Sequence, residues 1–346
     1  VKTDAAILVE TGKPLELGRL DIPKLNGGQC LVEIVFSGAC HTQLLEARGR
    51  RGDDPWLPHC LGHEASGVVL EVGGEVTRAK PGDRVALSWI KASGIEAGGA
   101  VYQWEGKPVN AGAVTTFQRH AVVSENRVTV LPSALEMQKA TLLGCALPTG
   151  LGTVMNVGKP SAGESVAIFG AGGVGLCAVM GAVVSKCAPV IAIDLIESKL
   201  EMARTFGATH TINVSEQDVA LSIAEICPDG VDLAIEASGR PTVMATALSA
   251  VRSQGGRAVV IGNAPKGQTI VLDPIQFNLG KSLLGTWGGD SVPDRDFPKF
   301  ASFMIKDEIN VMPLFSSPYA LENINDALDD LEEGRIGRPL VEMSQR

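Results

Sequence analysis

The stretch SVAIFGAGGVGLCAVMG, residues 165–181, constrains this chain more than any other. An apolar segment that reads as a buried strand runs into Gly170-Ala171-Gly172-Gly173-Val174-Gly175 and then directly into an apolar helical pattern. Glycines at these positions permit a tight turn, close approach of the backbone to a pyrophosphate, and close packing of helix on strand. The helix N-terminus then offers unpaired N–H groups and the positive end of its dipole to the phosphates. A glycine pattern alone is common. Here the next apolar segment, PVIAID, ends in Asp194, nineteen residues past Gly175, where a carboxylate can accept from the adenosine ribose hydroxyls. Leu195 and Ile196 follow it, with no arginine to receive a 2′-phosphate, and the charge on Asp194 opposes one. The reading is a dinucleotide site that favours NAD over NADP.

The rest of the chain changes style on either side of this motif. Over 147–288, apolar strand segments (SVAIFG, PVIAID, HTINV, VDLAIEA, GRAVVIG, SLLGTW) alternate with helical ones such as SKLEMARTFG. That alternation predicts a parallel sheet covered on both faces. Residues 1–146 read instead as short strands between glycine and proline turns. In QCLVEIVFSG, Cys30, Val32, Ile34 and Phe36 alternate with Leu31, Glu33, Val35 and Ser37, the period of a half-buried strand. After 289 the segment LENINDALDDLEEGR places Leu321, Ile324, Leu328 and Leu331 on one helical stripe, with Gly334 as its stop. At 346 residues two domains are expected: 147–288 for the nucleotide, and 1–146 with 289–346 as the second.

Charge and cysteine usage exclude other classes. A net charge of −9 without a basic patch argues against a nucleic-acid partner. The opening VKTDAAILVE carries charges at positions 2 and 4 and does not read as a secretory signal. The run ESVAIFGAGGVGLCAVMGAVV is punctuated by glycine and reads as strand, turn and helix, so no membrane span is expected. Seven cysteines form no disulfide-like framework, which predicts reduced thiols in the cytoplasm.

A second chemistry begins at CLGHEASGVV, where His63 and Glu64 lead into a strand. A turn histidine and a solvated glutamate would explain the pair by itself. Cys40, in FSGACHTQLLEARG, and Cys145, in LLGCALPTGLGT, supply two thiols elsewhere. Two thiolates and an imidazole with a fourth position open make a catalytic zinc set. Their spacing does not establish one, and each cysteine also reads as a small core residue.

The pieces GACHT, GHEASGVVLEVGG, PGDRVAL, GCALPTG, GAGGVG and GRIGRP occur in this order along the chain. From end to end it resembles the zinc-dependent medium-chain dehydrogenase/reductase family of the alcohol dehydrogenase type. The resemblance implies an α/β protein: a mostly-β GroES-like catalytic domain plus a Rossmann-type doubly wound parallel sheet. It implies one catalytic zinc per chain on Cys40, His63 and Cys145, with Glu64 as an alternative ligand that exchanges with water. Thr42 would bond the substrate alcohol, and Trp89 would line its pocket. His41 would contact the cofactor pyrophosphate, and Arg338 would make a second phosphate contact. Thr149 and Val174 would brace the nicotinamide, and Lys199 would lie near the adenosine ribose. Read as residues alone, Thr42 and Thr149 also suit helix caps, Trp89 suits core, and His41, Lys199 and Arg338 suit solvated surface. The implied activity is hydride transfer between NAD(H) and a small alcohol or carbonyl compound (an alcohol, polyol or sugar) by a homodimer or homotetramer. The competing readings are a zinc-free quinone or enoyl reductase of the same fold, and a cofactor-binding protein without catalysis.

Three departures from the family pattern bear on mechanism. No cysteine lies between Cys60 and Cys145, so the four-cysteine structural zinc loop is missing. Gln43 stands where an aspartate usually supports the zinc-bound histidine, and its amide is expected to accept the same hydrogen bond. Leu45 stands where a histidine often passes the substrate proton to solvent.

Overall fold

Six apolar segments from the middle of the chain pair as one all-parallel sheet in the order 210–213, 190–194, 166–169, 233–236, 257–260, 282–285. Strand Val166–Phe169 is buried along its whole length, as a strand covered on both faces must be. Helices Gly173–Val184, Glu197–Thr205, Val219–Ile226 and Pro241–Ala250 separate the first five strands. The strand order starts at 166–169, grows outward to 210–213, then restarts on the other side at 233–236. Ligands bind beyond the carboxyl ends of the strands at such a switch point, and the glycine turn lies there. This is the Rossmann-type doubly wound sheet expected.

The structure is a computed structural model and describes residues 1–315 and 317–343. Contacts divide the chain into two units: 1–145 with 292–307 and 311 onward, and 146–291 with 308–310. Ala146, residues 289–291 and residues 308–310, assigned by the sequence reading to the catalytic domain, therefore belong with the nucleotide unit. Hydrogen bonds tie down two of them: Ser291 Oγ donates to Pro148 O at 2.9 Å, and Asn156 Nδ2 donates to Gly289 O at 3.1 Å.

The first unit is mostly β. Strands 2–8, 16–21, 101–104, 107–110 and 59–60 close a small barrel. Strand Gln29–Gly38 lies in a second sheet, paired antiparallel with Glu64–Val72, His120–Ser124 and Leu340–Glu342. This strand is not half-buried as its alternation suggests, because both of its faces are covered. Cys30, Val32 and Ile34 join one apolar core, whereas Leu31 joins the barrel core with Ile7, Cys60 and Tyr102. Only Glu33 on it is exposed.

Helix Ile324–Glu332 buries Ile324, Ala327, Leu328 and Leu331, and Leu321 is buried in the turn before it. Gly334 adopts φ +71°, the left-handed stop that glycine tolerates best. Among the described residues no single helix is long and apolar enough to cross a membrane.

Candidate metal centre and cofactor turn

The chain reaches the candidate metal centre from three directions within the first unit. Cys40 follows strand Gln29–Gly38 and is the N-cap residue of helix His41–Ala47. His63 lies between barrel strand His59–Cys60 and sheet strand Glu64–Val72. Cys145 ends the short helical turn Thr141–Gly144. Ligand atoms of Cys40, His63 and Cys145 lie within 4.8 Å of one another.

His63 Nδ1 faces Gln43 Nε2, while the buried His63 Nε2 has no hydrogen-bond partner among the described residues. With the Gln43 amide nitrogen on Nδ1, the neutral ring carries its proton on Nε2 beside the thiols, and binding a metal there requires the other tautomer. The Cys2His donor set suits zinc with one position left open. The two thiols are joined by a hydrogen bond. A hydrogen bond from Cys145 holds Cys40 well below the usual thiol range against the opposing effect of burial, with the charge of Arg338 assisting. The same bond, with burial, pushes Cys145 up. Metal binding would take both as thiolates and release the proton of that bond.

Gln43 differs from expectation in its orientation. Its Oε1 accepts the Cys40 backbone N–H at 3.1 Å, so the amide nitrogen, not the oxygen, faces the histidine. The unfilled cap of a short helix draws the oxygen away.

Glu64 also differs. It is fully buried, and its carboxylate is held by Arg338 through Nε at 2.5 Å, outside the cluster of Cys40, His63 and Cys145. A Cβ added to Gly38 would lie 1.9 Å from Glu64 Oε1, so a glycine is required where the carboxylate sits. In this arrangement the Glu64 carboxylate is paired with Arg338, close enough to the cluster for its charge to act on Cys145. Arg338 is only 2% exposed, so the solvated-surface alternative does not hold. Burial opposes its charge, but Glu64 and the two thiols outweigh burial and hold the guanidinium above its usual range. The phosphate contact expected of it is not its visible engagement.

Thr42 lies in the first turn of helix His41–Ala47, where Cys40 occupies the cap, and its Oγ1 is 3.8 Å from Cys40 Sγ. Trp89 is half-buried, with its ring centroid 6.3 Å from that of His63. His41, the first helical residue, is exposed.

The cofactor turn belongs to the second unit. Gly170 adopts φ +99°, and a Cβ on Gly175 would meet Gly170 O at 1.8 Å. A Cβ on Gly172 would meet nothing within 4 Å, which leaves open space over the backbone where a pyrophosphate can approach. Gly172 is the N-cap of helix Gly173–Val184. Asp194 ends its strand and also braces the turn: Oδ2 accepts Ala171 N at 2.7 Å, and Oδ1 accepts Leu195 N at 2.8 Å and Ile196 N at 3.1 Å. Thr149 lies inside helix Ala146–Gly152, so it is no cap, and its buried Oγ1 has no partner among the described residues. Val174 and Lys199 are half-buried, in the helices that follow the turn and Asp194.

One residue here escaped the sequence reading. Glu236, fully buried at the end of strand Leu233–Glu236, accepts Ser238 N at 2.8 Å and Gly239 N at 2.9 Å on Oε1. It shapes the turn after the strand that neighbours the glycine turn's own strand. The available signal was an acid closing the apolar run in VDLAIEASG.

Comparison with known proteins adds two family matches and three similar proteins. Residues 26–133 match the alcohol dehydrogenase GroES-like domain, and residues 173–306 match the zinc-binding dehydrogenase family. S-(hydroxymethyl)glutathione dehydrogenase of Escherichia coli O1:K1 / APEC is 33% identical, with 99% of this chain and 100% of that protein covered. An alcohol dehydrogenase zinc-binding domain protein from Burkholderia ambifaria has a TM-score of 0.93 at 31% identity, with 100% of both chains covered. Benzyl alcohol dehydrogenase from Acinetobacter calcoaceticus has a TM-score of 0.90 at 29% identity, covering 99% of this chain and 100% of that one.

Proposed function

We propose, from the premise that this chain belongs to the zinc-binding dehydrogenase family with an alcohol dehydrogenase GroES-like domain, that it oxidises a primary alcohol with NAD or reduces the matching aldehyde with NADH. The observation that carries this reading is the convergence of His63 with the Cys40 and Cys145 thiols, their ligand atoms within 4.8 Å of one another. Relatives named for S-(hydroxymethyl)glutathione and for benzyl alcohol support a primary hydroxyl as the reacting group.

Cys40, His63 and Cys145 would hold the zinc. When bound, zinc supplies Lewis acidity that makes a hydroxyl easier to deprotonate, and NAD accepts the hydride. The protein's own part is to place and exclude. Thr42 Oγ1, beside Cys40 Sγ, is positioned to accept the substrate's hydroxyl proton. Leu45, one turn along from Thr42, cannot pass that proton on, so it must leave by another route. Arg338 pairs with the Glu64 carboxylate beside the cluster. Gly170, Gly172, Gly173 and Gly175 form the pyrophosphate cradle, and Asp194 supplies the ribose acceptor that disfavours NADP. Thr149 Oγ1, Val174, His41 and Lys199 are assigned to the cofactor, and Trp89 to the substrate pocket.

The assembly is a homodimer joined along the edge strand Ser282–Gly285. That edge is unpaired on its outer side in the sheet order, and the exposed Leu284 and Trp287 lie on or beside it. Seven free cysteines, six of them buried, support the cytoplasm.

An NAD-linked screen of primary alcohols, polyols and sugars, read by absorbance of reduced cofactor, tests the assignment. His63→Ala and Cys145→Ala should abolish turnover and lower zinc content while NAD binding persists. Full activity in either variant without zinc would favour the zinc-free reductase reading.

A further inference from the structure

We propose that Glu46, Asp54 and His59 form a second divalent-cation site, distinct from the thiolate cluster. Their ligand atoms lie within 4.8 Å of one another. They come from three different places: Glu46 from helix His41–Ala47, Asp54 from the loop after it, and His59 from barrel strand His59–Cys60.

The protons of His59 argue for a cation. Its Nδ1 lies 3.0 Å from the Cys60 carbonyl oxygen, which can only accept, so Nδ1 carries the hydrogen. In the neutral ring Nε2 then presents a lone pair, yet Asp54 Oδ2 lies 2.8 Å from it. Lone pair against carboxylate repels unless a positive charge lies between them. A proton there would satisfy one carboxylate. Glu46 brings a second, and its carboxylate makes no hydrogen bond or ion pair among the described residues. Two carboxylates and a neutral imidazole match a charge of +2. A ligating histidine that donates its other N–H to a backbone carbonyl is also the usual support for a metal.

Asp54 is prepared in the same way. Burial works against its charge, but the Trp56 N–H donated to Oδ1 at 3.0 Å leads the effects that hold the carboxyl below its usual range. Oδ2 is left for the site, and Arg51 is the competing cation on that side. Glu46 and His59 line a cavity of about 430 Å³ that also reaches His63 and is lined by Gln43, Trp56 and Asn110, so coordination positions remain for water. One imidazole and two carboxylates suit borderline divalent cations such as Zn²⁺ or Co²⁺. A cation there would clamp the loop to the helix that starts at Cys40 and to the strand that leads into His63. A divalent cation here goes beyond the one zinc per chain that the sequence resemblance implies.

The test is a titration of zinc-loaded protein with Co²⁺, followed by visible absorption and calorimetry. One additional equivalent is expected, with weak d–d bands and no thiolate-to-cobalt charge-transfer band. Glu46→Gln and Asp54→Asn should each weaken that binding by about tenfold or more, since even outer-shell losses cost that much. The half-buried Glu46 makes E46Q the safer variant if replacements nearer His59 impair folding. No uptake at millimolar cobalt, uptake only with the charge-transfer band, or uptake unchanged in both variants would overturn the proposal.

Discussion

Gln43 turns its amide nitrogen to His63 Nδ1 while its amide oxygen accepts the Cys40 backbone N–H at 3.1 Å, so one side chain joins a helix cap to the candidate zinc ligand. A neutral imidazole that gives Nε2 to a metal carries its proton on Nδ1 and needs an acceptor there. Gln43 meets that need by turning its amide over and releasing the cap. Gln43→Asp, a charged acceptor, is therefore expected to tighten zinc. Gln43→Leu should loosen it by about 10–100-fold. Competition with a chromophoric chelator measures both, and equal affinities would remove Gln43 from the account.

Asp194 has two jobs, and two substitutions separate them. Asp194→Asn keeps an acceptor for backbone N–H but loses the charge, so NAD should weaken modestly and discrimination against NADP should fall. Asp194→Ala also frees Ala171 N, Leu195 N and Ile196 N and should lower the melting temperature as well. Steady-state kinetics with both cofactors check this; a wild type that prefers NADP contradicts the assignment.

Glu64 and Arg338 are a buried pair, so losing one partner should cost more than losing both. Arg338→Met leaves a buried carboxylate unpaired and is expected to destabilise the fold by about 3–5 kcal/mol. Arg338→Met with Glu64→Gln should recover most of that in denaturant unfolding. A single variant as stable as wild type would remove the pair from the account of stability.

The loop region from Ser93 to Lys107 is held in part by charge. Glu96 receives Arg127 at 2.8 Å, Lys91 at 2.7 Å and Asn126 at 3.0 Å, and with Lys91 as the leading cause its carboxyl is lowered to about 2. Tyr102 is buried and packs the loop, whereas Val101 is 48% exposed and contributes little. Because the folded pKa of Glu96 lies below the unfolded one, its contribution is full above about pH 4.3 and is lost as pH falls towards 2. Glu96 is partly exposed, so Glu96→Gln should cost about 1 kcal/mol or less at pH 7. The difference in melting temperature from wild type should vanish between pH 4 and 2. A gap that persists at pH 2 would mean that packing, not charge, is at work.

Local patterns determined much of this protein. The six strands of the parallel sheet, the turn at Gly170 and the stripe ending at Gly334 follow from periodicity and from glycine at fixed offsets, which act over neighbouring residues. Cys40, His63 and Cys145 were identifiable as chemistry but not as a site, because nothing local brings positions 40, 63 and 145 together. Tertiary structure decided that, by running a barrel strand, a sheet strand and a helical turn to one point. It also decided what periodicity misjudged. Strand Gln29–Gly38 is covered on both faces because two cores form around it. Arg338 is buried because Gly38 leaves space for the Glu64 carboxylate that pairs with it. Gln43 points its nitrogen inward because the Cys40 N–H competes for its oxygen. Such outcomes depend on which groups meet across long sequence separations, where burial and unmet hydrogen bonds set the energy.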